Sequence, residues 1–361
     1  MSIGCRIKRW SCAIPLLCAA VALSATTPVV GQDEWLIDDL PDHITASMEA
    51  RERLLAGLPQ GDTPGFEFFV SDLQKWLTGS TVTVAFLGGD DALHRDIAEA
   101  TKQITDAGNI TLDFGLNPAT GKYRTWSSSD AVHKADIRVS FDQGGNFSLV
   151  GRDSNNPSIG NPLQAIGGRA HQRSLNLGGY DQFRPASWKR TTRHEFLHAL
   201  AFNHEHQSPI GGCDAQFRWE NDPGYVPTKD GNQQYVNDSM GRRPGIYTFL
   251  SGAPNFWPKA KVDHNLRQEP AGSGSAGTFD RASIMLYRFP KLFYVSDPNP
   301  CAPISDSEDL SLGDIAGLKE LYPNAMQEIL VQNEREQRLM KAITESPRIN
   351  ENVKASLIAP Q

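Results

Sequence analysis

One run of fourteen residues constrains this chain more than any other: Arg193-His-Glu-Phe-Leu-His-Ala-Leu-Ala-Phe-Asn-His-Glu-His206, which holds four of its nine histidines. On a helix, residues four apart share a face with Cβ atoms about 5–6 Å apart, so His194 and His198 can grip one ion. Glu195 then stands beside that pair and not at its centre, which suits a base that takes a proton from an attacking water. A zinc ion that keeps one position open needs a third protein ligand, and His204 is the natural candidate. A continuing helix would turn His204 about 120° away from the other two. The helix must therefore stop and bend between them, through a residue with positive φ. Ala201 stands where Gly would be easiest, at a cost of about 1–2 kcal/mol, and Asn203 is the alternative. We favour Ala201. A downstream carboxylate such as Glu220 is the competing third ligand. Ser187 is a plausible N-cap for the helix.

The formal charge of −7 over 361 residues is mildly acidic and unblocked, which excludes a nucleic-acid binder. Residues 1–31 read as a secretory signal peptide, with Arg6, Lys8 and Arg9 ahead of an apolar stretch from Trp10 to Ala25. That stretch is short for a membrane span, so no stable membrane insertion is expected after cleavage, which fits after Ser24 or after Gly31. The implied location is secreted or periplasmic. Of five cysteines, Cys5, Cys12 and Cys18 leave with the signal. Only Cys213 and Cys301 enter an oxidising compartment, and a disulfide between them is expected.

Residues 32–79 look like a pro-segment or N-terminal extension, with a charged helix candidate around Ser47 to Ala56 and a Pro/Gly stretch at Leu58 to Gly65. A catalytic domain is expected over 80–323. Its strand candidates are Thr81 to Leu87, Ile110 to Phe114, Ala135 to Phe141, Phe147 to Val150 and Arg173 to Leu177. One helix is expected over Asp90 to Ala107, led by the turn Phe86-Leu-Gly-Gly-Asp90, and another over Leu310 to Tyr322. Gly211 to Gly277, rich in Gly, Pro, Asn and Asp, should be loops with few regular elements. Residues 324–361 form a charged C-terminal tail, a helix followed by a loose end. The layout is α+β, a mixed sheet with helices packed on it.

His194-Glu195-x-x-His198-x-x-Ala201-x-x-His204-Glu205 resembles the metzincin zinc-peptidase motif, closest to the astacin-like group, and Ser283-Ile-Met285-Leu-Tyr287 resembles its Met-turn. The resemblance implies an α+β fold with a twisted mixed sheet in the N-terminal subdomain, a zinc-binding helix, and an irregular C-terminal subdomain with a late helix. It implies one catalytic Zn2+ on His194, His198 and His204, with Glu195 as general base and acid. Met285 becomes a non-ligating floor, and Tyr287 a group that stabilises the oxyanion. Phe147-Ser-Leu-Val-Gly151 is similar to the antiparallel edge strand that binds extended peptide, which assigns Ser148, Leu149, Val150 and Gly151 to substrate. The activity implied is hydrolysis of peptide bonds in a protein or peptide substrate. The alternative is an exported non-catalytic binding or adhesion protein on the same scaffold.

Overall fold

The computed structural model describes residues 40–56, 74–269, 278–347 and the single positions 349, 351 and 354. The expected signal peptide, the Pro/Gly stretch and the end of the tail lie outside the described residues.

The sheet follows from alternation. In β1 (Thr81–Leu87), Val82, Val84 and Phe86 point into the main apolar cluster, while Ala85 on the other face meets Trp126 and Ala135. With both faces covered, β1 can sit inside the sheet, and it pairs in parallel with β2 (Thr111–Asp113) and β3 (Ile137–Ser140). β5 (Leu175–Leu177) adds in parallel to β3, and β4 (Asn146–Ser148) closes one edge in antiparallel register, Asn146 opposite Leu177. The order is β2-β1-β3-β5-β4.

After β1, Gly88 and Gly89 take positive φ (80° and 74°) and Asp90 caps the next helix, its carboxylate accepting from Leu93 N at 2.8 Å. The single helix expected over 90–107 is two, α2 (Asp91–Ala100) and α3 (Lys102–Ala107). They divide at Thr101, whose hydroxyl donates to Ala98 O at 3.0 Å in competition with the helix ladder. Under the sheet runs α4 (Trp188–Ala199), with Phe196, Leu197 and Ala199 in the main cluster beside Val139, Leu175 and Leu177. Ser187 occupies its N-cap position but makes no capping hydrogen bond through its side chain, because its backbone (φ −81°, ψ 7°) is not the extended one a cap requires.

The stretch after α4 is as irregular as its composition implies. It holds a short hairpin, β6 (Thr228–Lys229) with β7 (Tyr235–Val236), and two short helices, α5 (Ile246–Ser251) and α6 (Lys259–Leu266). Carboxylates organise the turns between them. Asp238 accepts from the backbone N–H groups of Val226, Met240 and Arg242, and Asp222 accepts from Arg243 N and the Arg218 guanidinium. The Cys213–Cys301 disulfide ties this stretch to the segment before α7 (Leu312–Leu321). α8 (Met326–Glu345) follows, and no helix among the described residues is long and apolar enough to cross a membrane.

α1 (Asp42–Ala56) lies against the β4 end of the sheet. Ile44 and Met48 pack with Phe147, Leu149, Val150, Ile159 and Ile166, and Arg51 pairs with the buried Asp153. The same helix reaches α6 through Asp42–Lys261 (3.4 Å) and Glu49–His264 (3.7 Å). Trp76 is different in kind: its indole is part of the main cluster and donates to Ala199 O at 2.7 Å.

Candidate metal centre

Three imidazoles converge. His194 and His198 come from one face of α4, and His204 comes from the extended segment beyond its end, with all three ligand atoms within 4.8 Å of one another. The bend that brings them together is at Ala201, whose φ is 70°; Asn203 is not among the positive-φ residues. Ala201 N donates to His198 O at 2.8 Å and Phe202 N to Leu197 O at 3.0 Å, which closes the helix end. The Ala201 methyl is buried in the cluster with Leu149 and Val150, and that burial offsets part of the cost of left-handed backbone.

The tautomers follow from the partners of each Nδ1. His194 Nδ1 faces Ile284 O at 2.8 Å and His198 Nδ1 faces Phe202 O at 2.7 Å. Carbonyls only accept, so both Nδ1 atoms carry the proton and donate. His204 Nδ1 faces Gln207 Oε1 at 3.1 Å and donates as well. In the neutral rings each Nε2 is then a lone pair, and the Nε2 of His198 lies 3.1 Å from that of His194 and 3.0 Å from that of His204. Three converging lone pairs repel unless a cation stands among them. Zinc–nitrogen bonds of about 2.0–2.1 Å place tetrahedral donors roughly 3.3 Å apart, so the set fits a zinc ion with one position left open. Glu220 is exposed and outside the cluster, and the competing ligand set is not formed.

Glu195 is fully buried on α4 beside His194. The segment 283–287 passes beneath the cluster and joins two cores: Met285 belongs to the main cluster with Phe196 and Leu200, and Tyr287 to a second with Phe217, Phe289 and Phe293. The Tyr287 ring lies 4.1 Å from that of His204 and 6.0 Å from that of His194. Asp314, in the first turn of α7, fixes this turn by accepting from Ser283 Oγ (2.6 Å) and Ile284 N (3.1 Å), and so steadies the carbonyl that orients His194. Glu205 N donates to Met285 O at 3.0 Å, and Glu205 Oε1 accepts from Asp280 N at 2.7 Å. Burial pushes the Glu205 carboxyl up to about 7; the Asp280 N–H opposes this, and the Asp280 and Asp314 charges add to it.

Ser148 ends β4 at the edge of the sheet, whereas Leu149 and Val150 follow the strand and Gly151 opens a short 3-10 turn. All four are buried, and Leu149 and Val150 share their cluster with α1. Sequence reasoning missed the residues behind the histidines: Asp314, Asp280, Gln207 and His206. His206 is fully buried against the Tyr287 ring at 4.7 Å, with Nε2 3.0 Å from Asn265 O. Its place in the histidine run was a signal, as were the position of Asp280 at the head of the Met-turn motif and that of Asp314 in the first turn of a helix; their partners across the fold, 30 to 75 residues away, were not readable.

Fold and site together define a mixed α+β protein with a three-histidine centre suited to a single zinc ion, arranged as the metzincin resemblance implies. No family model and no curated protein sequence matches the chain. Among solved structures it is similar to "Structure of myroilysin", 24% identical over 70% of this chain and 97% of that one, TM-score 0.48. It is also similar to high choriolytic enzyme 1, a hatching-enzyme zinc protease from Oryzias latipes (medaka fish), 16% identical over 69% and 94%, TM-score 0.37. Likenesses of this depth carry no function to the chain, and the case for one rests on the site.

Proposed function

We propose that the chain is an exported zinc endopeptidase. The observation that carries this reading is the set of three Nε2 lone pairs converging beside a buried carboxylate. A zinc ion held there supplies positive charge that acidifies water and polarises a scissile carbonyl. Glu195 takes the proton of the attacking water and returns it to the departing amine. The Tyr287 phenol, beside His204, donates to the oxyanion that develops on the carbonyl. Met285 contributes an apolar floor that keeps water from the far side of the histidines. The backbone of 148–151 pairs with an extended substrate, a mode that holds a peptide without reading each side chain. The Cys213–Cys301 disulfide supports an extracytoplasmic location, as does the leader sequence.

In this reading the pro-segment expected over residues 32–79 acts through α1, and Trp76 near its end stays with the domain. What supports it is α1, which packs on Leu149 and Val150 through an apolar face and is otherwise held by side-chain contacts such as Arg51–Asp153 and Asp42–Lys261, whereas Trp76 is part of the core. A cut in the 57–73 stretch would free α1 and spare the domain. The test is chelator-sensitive hydrolysis of casein by the full-length protein and by protein cut in that stretch. Cutting should raise turnover. Glu195→Ala should retain zinc and lose turnover by at least about 10²-fold in the cut form. Undiminished hydrolysis by that variant ends the mechanism, and absence of any hydrolysis by either form ends the peptidase reading.

A further inference from the structure

His204 differs from the other two ligands in what orients it. His194 and His198 stand on a helix, and each gives its Nδ1 proton to a backbone carbonyl, Ile284 O and Phe202 O. His204 lies outside the helix on extended backbone (φ −71°, ψ 137°) and gives its proton to a side-chain amide, Gln207 Oε1. An amide can be turned over, which would put its NH2 against the Nδ1–H and demand the wrong tautomer. Something must therefore hold Gln207 one way round.

α6 does so. The Gln207 amide nitrogen donates to His264 O at 2.9 Å and to Arg267 O at 3.3 Å, two carbonyls at the C-terminal end of α6. Helix C-termini leave such carbonyls without intrahelical partners and carry partial negative charge, so they select the NH2 and repel the amide oxygen. The backbone of Gln207 is tied to the same place, its carbonyl accepting from Glu269 N at 2.8 Å, and His206 Nε2 lies 3.0 Å from Asn265 O. Gln207 itself is buried.

We infer that Gln207 is the positioning residue for the third histidine: it reads the end of α6 through its NH2 and passes that orientation to His204 through its carbonyl oxygen. The inference rests on the three-histidine cluster being a zinc site, and it gives the irregular stretch around α6 a task in metal binding. An outer partner of this kind fixes tautomer and ring orientation, and its loss weakens metal binding about 10–100-fold.

The test compares Gln207→Ala and Gln207→Glu in the full-length protein, with zinc affinity read by competition against a chromophoric chelator and stability read by denaturant unfolding of the metal-free form. Gln207→Ala should weaken zinc binding about 10–100-fold. Gln207→Glu still accepts from His204 Nδ1 but sets a carboxylate against the α6 carbonyls. It should lower the unfolding midpoint at least as far as Ala does, yet bind zinc more tightly than the Ala variant. Opposite orders in the two readouts support positioning. Zinc affinity that tracks stability across the two variants, or a Gln207→Ala protein that binds zinc like wild type, overturns it. A wild-type protein that takes up no zinc overturns the metal reading and this inference with it, and is distinguishable because it shows before any substitution is made.

Discussion

The sheet half of the molecule, from Thr81 to Leu200, and the half that follows His204 reach order by different routes. In the first, apolar residues at alternating positions bury Val82, Val84, Phe86, Ile137, Val139, Leu175 and Leu177 against α4, and burial of each large side chain is worth about 1.5–3 kcal/mol. A fully buried charge there is Arg138, which donates to the carbonyls of Gln172, Asp136, Gly167 and Ser154 and so ties the start of β3 to the loop between β4 and β5; burial pulls its guanidinium down to about 9. In the second half the strands and helices that precede α7 are only two to eight residues long. Order there comes from a smaller aromatic-rich cluster around Phe249, Trp257, Phe289 and Phe293, from a disulfide, and from carboxylates that accept several N–H donors at once. The two halves also divide the metal site. The first supplies a helix face with two ligands and a base; the second supplies a third ligand on extended chain, and everything that orients it.

The sharpest way to break that comparison is at Arg138. Arg138→Met strands several buried carbonyls at once and should cost about 3–5 kcal/mol, read by denaturant unfolding. Next comes the covalent tie of the other half: replacing Cys213 and Cys301 together by Ser should cost about 2–4 kcal/mol in the same measurement. A larger loss from the disulfide than from Arg138 would reverse the ranking of the halves. Free-thiol titration of the native wild-type protein should find neither of these cysteines reactive.

A smaller effect is expected where the halves meet, at Glu205. Burial pushes its carboxyl up to about 7, above its ordinary value, so protonation favours the fold. That contribution is complete below the unfolded pKa and is lost as pH rises through about 7. In metal-free protein, the stability of wild type should therefore fall between pH 5 and pH 8 relative to Glu205→Gln, by on the order of 1–3 kcal/mol. Parallel pH profiles for the two would remove Glu205 as the cause.

The smallest effect belongs to Ala201→Gly. Relief of left-handed backbone returns about 1–2 kcal/mol. Loss of the buried methyl takes back about 0.8 kcal/mol, and the added freedom of the unfolded chain about 0.5–1 kcal/mol. A change within about 1 kcal/mol is expected by thermal unfolding, and a loss well beyond that would show the methyl to matter more than the bend.

The first half was the more legible of the two for the same reason that it is apolar. β1 announces itself by alternation and α4 by its histidine motif, and the His194–His198 spacing is a property of any helix. The boundary at Thr101 was not readable, because the apolar spacing runs through it unbroken and Thr101 itself is buried in helical backbone. In the second half the disulfide and the late helix could be foreseen, but of the stretch between them and α4 only its irregularity. The fate of Asp238 or Asp222 depends on which backbone N–H groups fold around them, and no periodicity encodes that.

Taken alone, the order of residues determined two ligands on one helix face, a carboxylate beside them, the need for a bend before His204, and a pair of cysteines left to join. Tertiary structure decided which residue makes the bend, which tautomer each histidine adopts, and that His204 rather than Glu220 completes the set. The reason is one of range. A helix fixes positions four residues apart through its own hydrogen bonds, whereas the proton on His204 is placed by an amide that takes its orientation from α6, about 60 residues along the chain.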